Sequence, residues 1–257
     1  MVLPSTGLAV SQGENYYSSL HRGYPGVISV ALAGFLEPAG WFFAFVVAGN
    51  LALALFIRSK TAAPAVPNDR ADAVGRVRWL ALGWGAISAL LVPVVAADNN
   101  GVSADKVLGP SWLDFVESTQ AAQAWIAPAV VGGLLSLLLR RESSWTTLFL
   151  SFCATLIAMI LPIVNGQVSV GADHDFASDA ATIGIVALLL WAGISGAMTT
   201  HISRGGRVSE QGFRRFHLMA AVAAPITVLS YGAVLWLGLA GHNVAGSAYG
   251  IASVLGL

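Results

Sequence analysis

Six apolar stretches, each long enough to cross the hydrocarbon core of a lipid bilayer, constrain this chain more than any other feature. Crossing about 30 Å of hydrocarbon takes roughly 20 helical residues. The stretches cover approximately 27–57, 78–97, 121–139, 145–165, 179–200 and 216–240. Because backbone polar groups within hydrocarbon must pair inside the chain, such segments fold as helices. We therefore predict an all-α fold, a polytopic transmembrane helix bundle with six spans.

The composition excludes an ordinary soluble domain. Charged residues make up 10% of the chain and hydrophobic residues 56%, whereas soluble domains carry about 25% charged residues. Cys153 is the single cysteine, which excludes an internal disulfide and any CxxC metal or redox site. The basic residues cluster at the ends of the spans, so we expect the lipid bilayer as a partner and no nucleic acid.

The basic residues also predict the orientation of the chain. Eleven of the 13 Lys and Arg residues lie in the alternate connections 58–78, 140–144 and 201–215. Since short loops rich in Lys and Arg face the cytoplasm, the N-terminus is predicted to lie outside. The predicted orientation divides the chain into three parts. Residues 1–26 form an extracytoplasmic N-terminal segment, and residues 27–240 form the transmembrane bundle. Residues 241–257 form either an extracytoplasmic or interfacial tail or the start of a seventh span.

Three local patterns refine this prediction. Placing the core of the over-long first stretch at 38–57 leaves Glu37 at an interface, which avoids a carboxylate in mid-membrane. The outer connection 99–120 contains apolar and acidic residues after Pro110, which predicts a short interfacial amphipathic helix. Small residues within the spans predict close approaches between helices. They include Gly83, Gly85, Gly132, Gly133, Gly193, Gly196, Gly232 and Gly238.

The segment 166–193 carries the pattern most typical of metal chemistry. There His174 is bracketed by Asp173, Asp175 and Asp179, where a polar loop becomes an apolar helix. Imidazole and carboxylate groups bind copper, zinc and iron. The predicted metal ligands on the outer face are His174, Asp175, Asp179, Asp98 and His242. The alternative is that His174 and Asp175 cap the fifth span, because an acid near a helix start satisfies free N–H groups and suits the helix dipole.

The sequence gives little support to an enzyme. No nucleophile–base constellation, phosphate-binding loop or pair of haem-ligating histidines within the spans is apparent. A small-solute transporter is also disfavoured, because the paired broken spans in repeated halves that many transporters show are not visible.

The acid-bracketed histidine also carries a family resemblance. The run Asp173 to Ala180, followed nine residues later by Leu190-Trp191-Ala192-Gly193, resembles the copper-resistance D (CopD-like) membrane domain. The actinobacterial form, which is fused to a cytochrome c oxidase assembly domain, is the most similar. The resemblance extends over about 20–257. Further agreement comes from Leu91–Gly101, Ala122–Trp125, Arg215–Phe216 and Gly246–Gly250.

The resemblance implies copper uptake or delivery across the cytoplasmic membrane of a bacterium, and copper as the metal at the outer site. It carries over onto His174, Asp175, Asp179 and Asp98. In the family, histidines usually occupy the positions of Gln167 and Gly184. These departures favour a second function, a non-catalytic accessory or assembly subunit of a respiratory oxidase or copper oxygenase. Its partners would be other membrane subunits or a cytochrome c oxidase assembly factor.

Overall fold

The computed structural model describes residues 27–57, 68–102, 109–110, 112–139, 144–165, 174–206 and 208–239. Within these ranges the chain is helical and contains no strand, which confirms the predicted all-α fold. The predicted N-terminal segment 1–26 and the tail 241–257, which includes His242, lie outside the described residues.

Nine α-helices and two π-helical segments make up this described part. The elements in chain order are α1 (Val27–Ala52) with a first π segment (Leu53–Ile57), α2 (Asn68–Asn100), α3 (Trp112–Glu117), α4 (Gln120–Ala124), α5 (Ile126–Leu138), α6 (Trp145–Val164), α7 (His174–Leu188) with a second π segment (Leu189–Gly193), α8 (Ile194–Ser203) and α9 (Glu210–Leu239).

The six predicted spans are confirmed as six helical stretches long and apolar enough to cross a membrane. Their bounds are Ser29–Leu55, Val74–Asn100, Gln120–Leu138, Trp145–Val164, Asp175–Ser203 and Glu210–Trp236. Several helices are longer than the apolar stretch that they contain. Helix α2 begins at Asn68, so part of the predicted connection 58–78 is helical. Helix α1 begins at Val27, the start of the predicted stretch 27–57, and runs unbroken through Glu37 and Pro38.

The second half of helix α1 lies in the core of the bundle. It packs against α2, α6, α8 and the second π segment, while α2 also packs against α5 and α7 packs against α9. Val47 and Leu51 of α1, Trp84 of α2, Leu148 of α6 and Leu189 are completely buried in the shared core. Because lipid tails are as apolar as these side chains, close packing rather than exclusion from water holds such helices together.

Two helix crossings bring backbone directly against backbone. A Cβ atom added at Gly49 of α1 would overlap the carbonyl group of Gly193, at the end of the second π segment. A Cβ added at Gly132 of α5 would lie 2.6 Å from the amide nitrogen of Gly85 in α2. Glycine therefore sets the separation of the helices at both crossings, since any side chain would push them apart.

Candidate functional site

The end of α2 positions Asp98, the first of the predicted ligands. Asp98 is half-buried, and its carbonyl oxygen accepts a hydrogen bond from the Gly101 amide at 3.2 Å. Gly101 adopts a φ of 62°, the left-handed conformation that commonly ends helices. The prediction that Asp98 ends the second span is consistent with this geometry.

A hydrogen-bonded connection holds this end of α2 in place. The Asn100 side-chain amide donates to the carbonyl of Ala96 and to Oγ1 of Thr119, each at 2.8 Å. The Thr119 hydroxyl in turn donates to the carbonyl of Phe115 in α3. Helix α3 spans Trp112–Glu117, in agreement with the predicted short helix after Pro110. Asp98 therefore lies on a fixed helix end.

Glu37 of α1 is a second carboxyl group near Asp98. It is half-buried, and the two groups are close enough to interact electrostatically. Two carboxylates that interact electrostatically favour a nearby cation, because like charges disfavour simultaneous ionisation. The sequence indicates an interfacial position for Glu37 and gives no sign of an interaction with Asp98. An acid within an apolar span is by itself a signal of function. Its interaction with Asp98, however, depends on how α1 packs against α2 and cannot be read from the sequence.

The other described candidates lie at the start of the fifth span. Helix α7 begins at His174, and Asp175 and Asp179 are exposed in its first two turns. The side chain of His174, like Asp173 and His242, lies outside the described part. Asp175 stands in the first helical turn, where a negative charge is stabilised by the helix dipole. The geometry is therefore compatible with the capping alternative as well as with a metal ligand.

The start of α7 and the end of α2 face the same side of the bundle, because successive spans run in opposite directions. They belong to different helix pairs, however, since α2 packs mainly on α1 and α5 whereas α7 packs mainly on α9 and α6. Among the described residues, no three His, Cys, Asp or Glu side chains are grouped closely enough to hold a metal ion. Glu37 and Asp98 are described carboxyl groups at this end that interact electrostatically.

Gly184, which stands where the resembling family usually has a histidine, is buried against α9. A Cβ atom at this position would lie 3.0 Å from Cβ of Ser230 and 3.2 Å from the ring of Tyr231. The space that a larger side chain would need is thus occupied by the neighbouring helix. At this point the fifth and sixth spans are in direct contact.

Comparison with known proteins identifies bacterial relatives. The chain is 29% identical over 230 residues to an uncharacterized protein of Mycobacterium bovis and, to the same extent, to one of Mycobacterium tuberculosis. A Mycobacterium leprae protein, also uncharacterized, is 29% identical over 157 residues, which cover 61% of this chain and 23% of that protein.

The match to the first two relatives covers 87% of this chain but 33% of theirs, so the chain spans about a third of their length. No protein-family model matches the chain. No solved structure matches it either. What the fold and the relatives together establish is a multi-pass helical membrane protein with bacterial relatives.

Proposed function

We propose that this chain handles copper at the outer face of a bacterial cytoplasmic membrane, either taking the metal up or delivering it. The observation that carries the proposal is the half-buried pair of Glu37 and Asp98 at one end of the bundle. Asp175 and Asp179 stand at the same end of the fifth span. Cu(II) accepts carboxylate and imidazole ligands, and His174 would supply the imidazole in the position implied by the CopD-like resemblance.

The site would act by attracting the ion before binding it. Asp114, Glu117, Asp175 and Asp179 are exposed at this end of the bundle. Clustered negative charge raises the local concentration of cations and their association rate. Asp98 and Glu37 lie deeper between α1 and α2, so they would hold the ion after the exposed carboxylates have drawn it in.

A titration of the purified protein with Cu(I) and Cu(II) tests this proposal. We expect micromolar or tighter binding that His174→Ala weakens by at least about tenfold, as loss of a ligand or its orienting group commonly does. Asp98→Asn and Glu37→Gln should weaken binding as well. Glu210→Gln is the matched control, because it removes an exposed carboxylate from the start of α9, at the opposite end of the bundle from the proposed site.

The titration has outcomes that contradict the proposal. Absence of copper binding to the wild-type protein would overturn it. So would equal affinities of the wild type, His174→Ala and Asp98→Asn. If binding is observed, copper uptake into vesicles that contain the protein separates transport from delivery, because delivery requires no movement of the ion into the vesicle.

A second function is favoured by the contact at Gly184. A Cβ added at this position would already lie 3.0 Å from Cβ of Ser230 and 3.2 Å from the ring of Tyr231, so a ligand-bearing side chain would have to displace parts of α9. We therefore propose as the alternative an accessory or assembly subunit of a larger membrane complex, such as a respiratory oxidase or copper oxygenase. Purification from native membranes in a mild detergent should then recover stoichiometric membrane partners. Recovery of the protein alone, together with tight copper binding, would exclude this alternative.

A further inference from the structure

One face of α9 is exposed along most of its length. Leu218, Val222 and Leu229 are 67%, 55% and 73% exposed, and Pro225 between them is also exposed. These positions recur at intervals of four, three and four residues, which places them on a single face of the helix. Other positions of α9, among them Ser230, face α7 near Gly184. The apolar strip is therefore not part of the contact with the bundle.

An arginine stands at the end of this strip. Arg214 precedes Leu218 by four residues and so lies on the same face, one turn nearer the start of α9. It is exposed, and it has no hydrogen bond or ion pair with any residue of the described part, even though Glu210 lies one turn before it. Its positive charge therefore lacks a described counter-charge.

Arg204 and the start of helix α9 add positive charge on the side of the bundle where Arg214 lies. Arg204, exposed at the end of α8, lies at the other end of the short connection between α8 and α9 and likewise has no partner within the described ranges. The start of a helix carries a partial positive charge of its own, which these arginines increase. An anion at this place would be stabilised by all of these charges together.

We propose that this face of α9 binds an anionic phospholipid. The guanidinium group of Arg214, supported by Arg204, would bind the headgroup phosphate, for which the planar arginine fork is well suited. An acyl chain would lie along Leu218, Val222 and Pro225. At 1.5 Å per residue, Arg214 and Pro225 are separated by about 16 Å along the axis, which is close to the hydrocarbon thickness of one leaflet, about 15 Å.

The length of the strip distinguishes a lipid from a soluble anion. A free phosphate would use the arginines and leave the apolar strip without a role. A lipid uses both, because its charged head and apolar tail match the order of Arg214 and the three apolar residues that follow it. Phe213, which is 38% exposed next to Arg214, adds an aromatic surface at the depth where headgroup and tail meet.

Retention of phosphatidylglycerol by the detergent-purified protein, measured by native mass spectrometry with phosphatidylcholine as the comparison lipid, tests the proposal. Arg214→Gln should weaken phosphatidylglycerol retention about fivefold, because one basic residue near a charged lipid surface contributes about that factor. Arg78→Gln is the matched control. It removes the same charge from α2, where the exposed Arg78 donates to the carbonyl of Ser136 at 2.7 Å, and it should leave retention unchanged.

Two further measurements show whether the bound phosphate belongs to a lipid headgroup or is free phosphate. Val222→Ser should also reduce phosphatidylglycerol retention, and inorganic phosphate should not displace the lipid. Unchanged retention in Arg214→Gln or in Val222→Ser, an equal loss in Arg78→Gln, or displacement by inorganic phosphate would each overturn the proposal. All of these substitutions lie on exposed positions, and helix content measured by circular dichroism confirms that the variants remain folded.

Discussion

The fifth span meets two of its neighbours, α1 and α9, through glycines, and these two contacts differ in kind. On one side Gly193 meets Gly49 of α1, backbone against backbone. On the other side Gly184 of α7 meets the side chains of Ser230 and Tyr231 in α9. A Cβ added at Gly49 would need α1 and the second π segment to separate widely. For a Cβ added at Gly184 the Tyr231 ring can rotate, and Cβ of Ser230 needs α7 and α9 to separate by only a few tenths of an ångström, so the contact with α9 adapts more easily than the contact with α1.

The largest effect is expected from Gly49→Ala. The added Cβ would overlap the carbonyl group of Gly193, so α1 and the second π segment would have to separate. Overpacking of this kind costs about 3 kcal/mol or more of unfolding free energy. Reversible unfolding in mixed detergent micelles, followed by circular dichroism, measures it. Gly34→Ala on the same helix is the control, because nothing lies within 4 Å of its added Cβ, and a similar loss for both variants would contradict the interpretation.

A second prediction compares two adjacent glycines of α5. An added Cβ at Gly132 would lie 2.6 Å from the amide nitrogen of Gly85 and 2.7 Å from the carbonyl oxygen of Ala81, whereas at Gly133 it would meet nothing within 4 Å. Gly132→Ala should therefore lose about 2 kcal/mol of unfolding free energy. Gly133→Ala should lose none, because alanine is the better helix former. The same unfolding assay compares the pair, and equal values would show that α2 and α5 do not cross here.

The smallest effect is expected at the adaptable contact. Gly184→Ala places a Cβ 3.0 Å from Cβ of Ser230 and 3.2 Å from the ring of Tyr231, so the ring must rotate slightly and α9 must move by a few tenths of an ångström. We expect a loss of about 1 kcal/mol of unfolding free energy, at the low end of overpacking costs. Gly232→Ala, whose added Cβ meets nothing within 4 Å, serves as the control on α9. A loss at Gly184 as large as that at Gly49 would remove the difference between the two contacts.

The same comparison bears on the two proposed functions. An adaptable helix contact, such as that between α7 and α9, suits a protein in which the position of the last span changes when a partner or lipid binds. The fixed crossing at Gly49 and Gly193 would instead keep the first and fifth spans, which carry Glu37 and Asp179, in constant relation. A copper site that used both helices would require this rigidity, since ligands must be held in place to bind a metal tightly.

Local patterns predicted much of the candidate site. The position of Asp98 at the end of the second span follows from where the apolar run stops, and the start of α7 near His174 follows from the change from polar to apolar residues. The short helix α3 follows from its alternation of apolar and acidic residues. The pairing of Glu37 with Asp98 could not be predicted, because it depends on the register in which α1 packs against α2.

The helix contacts of the glycines can likewise be predicted only in part from the sequence. Close approaches were predicted for glycines within the spans, and Gly85, Gly132 and Gly193 do lie at such contacts. A Cβ added at Gly133, Gly196 or Gly232 would meet nothing within 4 Å, and Gly49 does not stand out in the sequence. Composition indicates that small residues mediate contacts between membrane helices. It does not indicate which side of a helix faces a neighbour.

The sequence alone is sufficient to establish that the chain lies in a lipid bilayer and that it has six spans. Hydrocarbon requires every backbone polar group to be paired within a helix, so the length and hydrophobicity of each stretch are sufficient for that conclusion. Only the tertiary structure decided which helices cross at Gly49 and Gly193, which carboxyl groups meet, and which face of α9 remains exposed. Every face of an apolar helix suits lipid, and so the choice of neighbour depends on the fit between helix surfaces rather than on hydrophobicity.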